Sequence, residues 1–128
     1  KLIEKDMHED DLRNLVAEGL KVGSVIEFQD QFLLFQNKIE ESTVLYIEFW
    51  KELASNNPNG HRLQEVAHKI APLADEIKHR FDKLEAINSM NVKLFRIYGH
   101  YLSDVLFDSY ASLKVLERYR ISIVMFII

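Results

Sequence analysis

With 128 residues, 48% of them hydrophobic and no cysteine, the chain has room for one domain with a full core. That composition excludes a disordered chain, a disulfide scaffold and cysteine-based metal or thiol chemistry. A formal net charge of −4 argues against non-specific nucleic-acid binding, so nucleic acid is not an expected partner.

The chain starts at Lys1 with a charged run, KLIEKDMHEDD, and reads as a piece of a larger protein, a single helical domain over 1–128. Asp10 or Asp11 can cap a first helix whose apolar stripe is Leu12, Leu15, Val16 and Leu20. Gly23 suits a left-handed C-terminal cap, and Ser24 with Glu27 forms a capping box. A break is therefore expected there, the alternative being one long helix through Gly23. From Val25 a seam runs through Phe28, Phe32, Phe35, Ile39, Ser42, Tyr46, Phe49 and Leu53 in steps of three and four. Leu34, Leu45, Ile47 and Trp50 widen it. Aromatics on such a seam suit globular packing better than a free two-stranded coiled coil.

SNNPNGH is a loop by its turn chemistry. The next helix, from about residue 61 to 87, places Leu63, Val66, Ile70, Leu73, Ile77, Leu84 and Ile87 on one face, with Ala67, Ala74 and Phe81 beside it. Pro72 should kink it without ending it, because the periodicity continues in phase. NSMN turns the chain, with Ser89 or Asn91 as N-cap, into a shorter helix marked by Leu94, Ile97, Tyr98, Tyr101, Leu102 and Val105. FDSY breaks it, and Asp108 can cap a last helix carrying Ala111, Val115, Leu116 and Tyr119. The apolar end ISIVMFII is either a buried terminal turn or the start of a membrane helix, since eight residues cannot span a bilayer. The expected fold is all-α, with four to five antiparallel helices.

Gly99 lies inside a helix, where glycine costs about 1 kcal/mol relative to alanine. A close antiparallel crossing offsets that cost, and Ala111 on the returning helix is the expected small partner. Tyr98, Gly99, Leu102 and Ala111 thus form a hairpin contact that resembles a tetratricopeptide or half-a-tetratricopeptide hairpin.

No chemistry converges elsewhere. His61, His68 and His79 share a helix face at spacings of seven and eleven, too far apart for one metal, and His100 stands alone. Glu9, Asp10, Asp11, Glu40 and Glu41 are consecutive and diverge around their helices. No phosphate loop or nucleophile motif is present; neither enzymatic activity nor a cofactor is expected. Phe28, Phe32, Phe35 and Tyr46 read as core rather than a ligand pocket. Phe49 and Trp50 are candidates for a protein-binding surface if exposed. Lys114, Arg118 and Arg120 suit an anionic membrane surface or the C-terminal end of a helix dipole.

Over roughly residues 12 to 119 the pattern IEESTVLYIEFWKEL, a polar loop, FDKLEAINSMN and LFRIYGHYLSDVLFD resembles the helical module of the TmcB-like (tiny macrocyst) proteins. Phe49–Trp50, the turn at Asn88 to Asn91, Tyr98–Gly99 and Tyr101–Leu102 carry the likeness. The end ISIVMFII departs from the polar, small-residue helix that the resemblance implies after Ala111. The resemblance implies a tetratricopeptide-like soluble region of a large multi-pass membrane protein of protists, with no catalytic residue to carry over. The expected function is a non-catalytic interaction or scaffold module of a membrane-anchored signalling protein, on the cytoplasmic side of the membrane. Its expected partners are proteins, neighbouring helical repeats or a second copy in a homodimer, with the C-terminus near the membrane. Alternatives are a structural subunit of a large assembly and a sensor bundle holding a small apolar ligand.

Overall fold

The computed structural model describes residues 9–127, excepting the side chains of 20, 21, 126 and 127. They form α1 (Glu9–Leu53), α2 (Gly60–Ile87), α3 (Val92–His100, running on as a π-helical segment Tyr101–Val105) and α4 (Ser109–Ile127). No strand occurs among the described residues. The all-α expectation holds, with four helices.

Polar caps set the helix starts. Asn59 Oδ1 accepts from the backbone N–H groups of His61 and Arg62 at 3.0 and 3.2 Å. Asn91 Oδ1 accepts from Leu94 N at 2.9 Å, and Asp108 Oδ1 from Ala111 N at 3.0 Å. Each satisfies a donor that the first helical turn leaves without an intrahelical partner. Pro72 sits on the exposed side of an uninterrupted α2. The carbonyl of His68, which loses its donor there, belongs to an exposed residue.

The expected break at Gly23 is not there. α1 is continuous through Gly19 and Gly23, no glycine has positive φ among the described residues, and Ser24 and Glu27 are exposed side chains in mid-helix. A Gly costs a helix about 1 kcal/mol; ending the helix gives up the hydrogen bonds of a whole turn. Asp10 and Asp11 lie in the first turn beside Glu9 rather than at a cap, where negative charge still complements the helix dipole. Leu20 and the segment before Glu9 fall outside the described side chains and residues.

α1 and α2 pair antiparallel across the loop at 54–59. α3 then runs parallel to α1, as the ascending pairs Phe35–Tyr98, Ser42–Tyr101 and Trp50–Phe107 require. α4 returns alongside α3, with Ser112 on Gly99 and Tyr119 on Phe95. The core is aromatic. Phe81 of α2 stacks on Tyr98 at 4.2 Å between ring centroids and meets Phe95 edge-on at 5.5 Å and Phe35 at 6.4 Å. Phe35, Phe81 and Phe95 are fully buried; such rings supply area burial plus about 0.5–1.5 kcal/mol for each well-oriented pair.

α3 departs from α-helical winding where the apolar residues come in adjacent pairs. Tyr101, Leu102, Val105 and Leu106 all point toward the bundle, the first two buried and the others partly so. The i→i+5 bond from Leu106 N–H to Tyr101 O, 3.1 Å, widens the turn and keeps both pairs inward. Phe107 then takes φ 55°, the left-handed position usually given to Gly, and Asp108 N–H closes back on Leu102 O at 2.7 Å. The sequence carries no glycine to announce this stop.

Inside the bundle, Ser42 and Tyr101 share a buried hydrogen bond of 2.8 Å that ties α1 to the π-helical segment. The α3–α4 crossing is close, but its small partner differs from the one expected. Ser112 Oγ donates to the carbonyl of Gly99 at 2.8 Å, and a Cβ on Gly99 would stand 3.3 Å from Leu116 Cδ2. Ala111, one residue earlier, is partly buried against the core.

Three outcomes follow from this packing. Ser42→Ala leaves the Tyr101 hydroxyl buried without its partner and should cost about 1–3 kcal/mol in urea unfolding, whereas Ser42→Ala with Tyr101→Phe should lie closer to wild type than the sum of the two single changes; additive losses would contradict the pairing. Gly99→Ala should stay within about 1 kcal/mol of wild type, because Leu116 is 42% exposed and its methyls can yield. Gly99→Leu should cost about 1–3 kcal/mol by overpacking. Finally, burial holds the hydroxyls of Tyr98 and Tyr101 above the ordinary phenol range; Asp82 raises Tyr98 further, while the Ser42 hydrogen bond partly opposes the shift at Tyr101. A raised folded-state value means that the folded chain retains protons the unfolded chain has lost. Stability should thus be insensitive to these groups below pH of about 10 and fall above it, less steeply in Tyr98→Phe; an identical alkaline profile in the variant would refute the assignment.

Candidate interaction surface

α2 and α4 run parallel with α3 beneath them, and the gap between the two forms an open groove of about 730 Å³. Its floor is the outer side of the aromatic core: Phe81, Tyr98, Leu102 and Val115. Three of the four residues expected at the hairpin contact, Tyr98, Leu102 and Ala111, therefore line the groove, while Gly99 sits behind it at the crossing. The walls carry charge of both signs, Asp75, Lys78 and Asp82 from α2 and Lys114, Glu117 and Arg118 from α4.

Arg118 is committed to the protein. Its guanidinium lies 5.7 Å from the centre of the Phe81 ring and its Nη1 is 3.4 Å from Glu85 Oε1. Lys114 covers the ring of Tyr110 at 4.9 Å. Two of the three cations that suited a membrane surface thus also brace the groove wall, through cation–π contact and an ion pair.

At the end near the α1–α2 loop the groove continues into a shallower pocket, the two sharing Ala74, Leu106 and Asp108. Trp50 stands over this second pocket, edge-on to Phe49 at 5.6 Å and to Phe107 at 6.3 Å. Trp50 is 49% exposed and Phe107 67% exposed, whereas Phe49 is half-buried. The proposed aromatic pair is thus a triple, with the third ring supplied by the left-handed residue. Position alone hides this in the sequence: Phe107 stands 57 residues from Trp50, and only the reversal of α3 unites them.

The remaining candidates stay apart. His61, His68 and His79 are exposed on α2, His61 pairing with Glu65 at 2.9 Å, and His100 lies 3.5 Å from Asp104 on the surface. Among the described residues there is no cluster of three His, Cys, Asp or Glu side chains able to hold a metal. Phe28 and Phe35 are buried and Phe32 and Tyr46 half-buried. The rings that a ligand pocket would need lie against one another. At the C-terminal end, Ile121, Val124 and Met125 are 52%, 46% and 72% exposed, so a buried terminal turn does not form there; Phe126 to Ile128 lie outside the described side chains. No helix among the described residues is long and apolar enough to cross a membrane.

The comparisons with known proteins agree with this architecture. The family described as "TmcB, TPR repeats" matches residues 7–120. Tiny macrocysts protein B of Dictyostelium discoideum is 27% identical over 70 residues, 55% of this chain. Tiny macrocysts protein C of the same organism is 27% identical over 71 residues, 56% of this chain. The chain spans 5% of the length of each of these relatives. No solved structure matches. Tetratricopeptide repeats generally mediate protein–protein interaction and are typically non-catalytic. A helical-hairpin fold and a family match over nearly its whole length place the chain in the TmcB tetratricopeptide-repeat family.

Proposed function

We propose that this chain is a non-catalytic docking module, a cytoplasmic segment of a larger, membrane-anchored signalling protein, which receives a partner helix in the groove between α2 and α4. The observation that carries the reading is the groove itself, an apolar floor between two walls of mixed charge. An amphipathic helix is the natural occupant of such a trough: its apolar face covers the partly exposed Ala74, Leu106, Ala111 and Ile121, and its flanks meet charge on both sides. The partner is a protein segment or a neighbouring helical repeat. The rigid floor favours binding, because little side-chain freedom remains to be lost there. Trp50 and Phe107 extend the contact as large, partly exposed anchors of the kind that dominate interface energies.

The membrane-anchored context rests on kinship with the tiny macrocysts proteins and on the apolar end of α4, where Ile121, Val124 and Met125 stay exposed behind the cations Lys114, Arg118 and Arg120. A sensor that buries a small ligand among the core aromatics has less support, since Phe81 and Tyr98 are stacked on each other.

Ala111→Arg places a charged side chain into the mouth of the groove, and Lys78→Glu reverses the opposite wall at an exposed site. Affinity capture by the wild-type chain and both variants, compared by quantitative mass spectrometry, should yield proteins retained by wild type and reduced severalfold by both changes. Circular dichroism and thermal unfolding would establish that the variants are folded. Equal recovery on all three chains would overturn the groove as the docking site.

A further inference from the structure

Tyr98 and Tyr101 are buried neighbours on α3, yet only one of the two phenols is satisfied. Tyr101 shares its hydroxyl with Ser42 at 2.8 Å. Tyr98 is 5% exposed, and among the described residues no backbone or side-chain group bonds its hydroxyl. The ring cannot turn away to find a partner: Phe81 stacks on it at 4.2 Å, and Phe35 and Tyr101 lie at 6.0 and 6.2 Å. Buried hydroxyls are normally bonded, and this one stands on the otherwise apolar floor of the α2–α4 groove. It is not sealed in. Among the described residues no side-chain oxygen or nitrogen is fully buried without a partner, so the Tyr98 hydroxyl keeps an open edge, and the groove is the opening that Tyr98 lines.

The charges around that edge are chiefly anionic once internal pairing is counted. The groove is lined by the carboxylates Asp75, Asp82, Asp108 and Glu117 and by the cations Lys78, Lys114 and Arg118. Two of the cations are engaged within the chain, Arg118 by Glu85 and the Phe81 ring, and Lys114 by the Tyr110 ring. Among the described residues none of the four carboxylates forms an ion pair, and only Asp108 is hydrogen-bonded, through the one oxygen that caps α4. Burial raises the Tyr98 phenol above its ordinary range, and Asp82, Tyr101 and Asp108 raise it further, with Arg118 opposing. The hydroxyl is therefore a neutral group in negative surroundings.

A lysine or arginine side chain suits each of these features. Its methylene stem can lie along Leu106 and Ala111, and its head brings N–H donors to the Tyr98 oxygen and positive charge to Asp82 and Asp108. A carboxylate has the wrong charge for the two aspartates, and an apolar side chain would leave the hydroxyl unbonded. We propose that the helix received by the α2–α4 groove carries a basic residue within its apolar face, whose head group donates to the Tyr98 hydroxyl between Asp82 and Asp108. The inference rests on the groove being the docking site and adds the chemistry of its occupant.

Phage-displayed amphipathic peptides with a randomised apolar face are selected on the wild-type chain and counter-selected on Ala111→Arg, which obstructs the groove. Groove-dependent peptides should carry Lys or Arg at one position of that face. Their affinity should fall roughly tenfold on Tyr98→Phe and on Asp82→Asn, each of which removes one charge-assisted contact. Norleucine in place of the basic residue should weaken binding to wild type and abolish the difference between wild type and Tyr98→Phe. Tyr98→Phe should keep wild-type stability at neutral pH, because its hydroxyl bonds nothing in the described chain; a marked loss would place the hydroxyl in an internal bond and overturn the proposal. Groove-dependent peptides without a basic residue, or with an acidic one in its place, would overturn it and leave the docking site standing, as would equal binding to Tyr98→Phe. Failure to select any groove-dependent peptide would overturn both.

Discussion

The stack of Phe81 on Tyr98 is the contact on which the rest of the structure depends. At 4.2 Å between centroids it fixes α2 against α3, and the other elements are arranged around it. Phe35 reaches both rings from α1, Phe95 closes the stack edge-on, and Arg118 approaches Phe81 from α4. Four helices thus converge on one pair of side chains in a chain where each helix is otherwise attached along a single stripe. The two hairpins cannot slide past one another without breaking an aromatic contact with specific geometry, and side chains so placed tolerate little change in volume. The groove between α2 and α4 inherits this rigidity, because its floor is the outer side of the same stack.

Much of this was legible in the sequence, for a physical reason. Helix periodicity is imposed by burial, so the runs from Val25 to Leu53 and from Leu63 to Ile87 could be placed from apolar spacing alone. Asn91 and Asp108 were legible as caps because a side-chain oxygen followed by an apolar period has few other uses. What escaped was decided between distant residues or by competition. Gly23 with Ser24 and Glu27 carries a good local stop signal, yet the helix continues, since a local cap competes with a whole turn of backbone hydrogen bonds. The π-helical turn and left-handed Phe107 have no local signature; they follow from keeping Tyr101, Leu102, Val105 and Leu106 all on the core side. At the crossing, side-chain size alone points to Ala111. Ser112 serves instead, because there a hydroxyl reaches the Gly99 carbonyl.

The candidate site was only partly legible for the same reason. Trp50 and Phe49 are adjacent in sequence and could be singled out, but the third ring and the groove walls come from α2, α3 and α4 together. Surfaces made by juxtaposition leave no motif. They leave only residue types at positions where folding happens not to cover them.

How much is left uncovered is itself informative. The chain exposes 9598 Å² of surface, whereas a compact monomer of its 15.1 kDa mass would expose about 7,100 Å². Unpaired lengths of helix contribute to the excess, and two of their faces are apolar: the outer side of α1, where Leu12, Val16 and Ile26 are exposed, and the outer side of α4, where Leu113 and Met125 are 66% and 72% exposed. A helical hairpin buries its apolar stripe only where another hairpin lies against it, so units of this architecture gain stability from each neighbour that stacks on them. The aromatic core holds the four helices in place, and what covers the two remaining apolar faces determines how firmly the ends of α1 and α4 are held. Binding and stability are therefore linked in this module: any chain that covers either face adds to folding free energy by mass action.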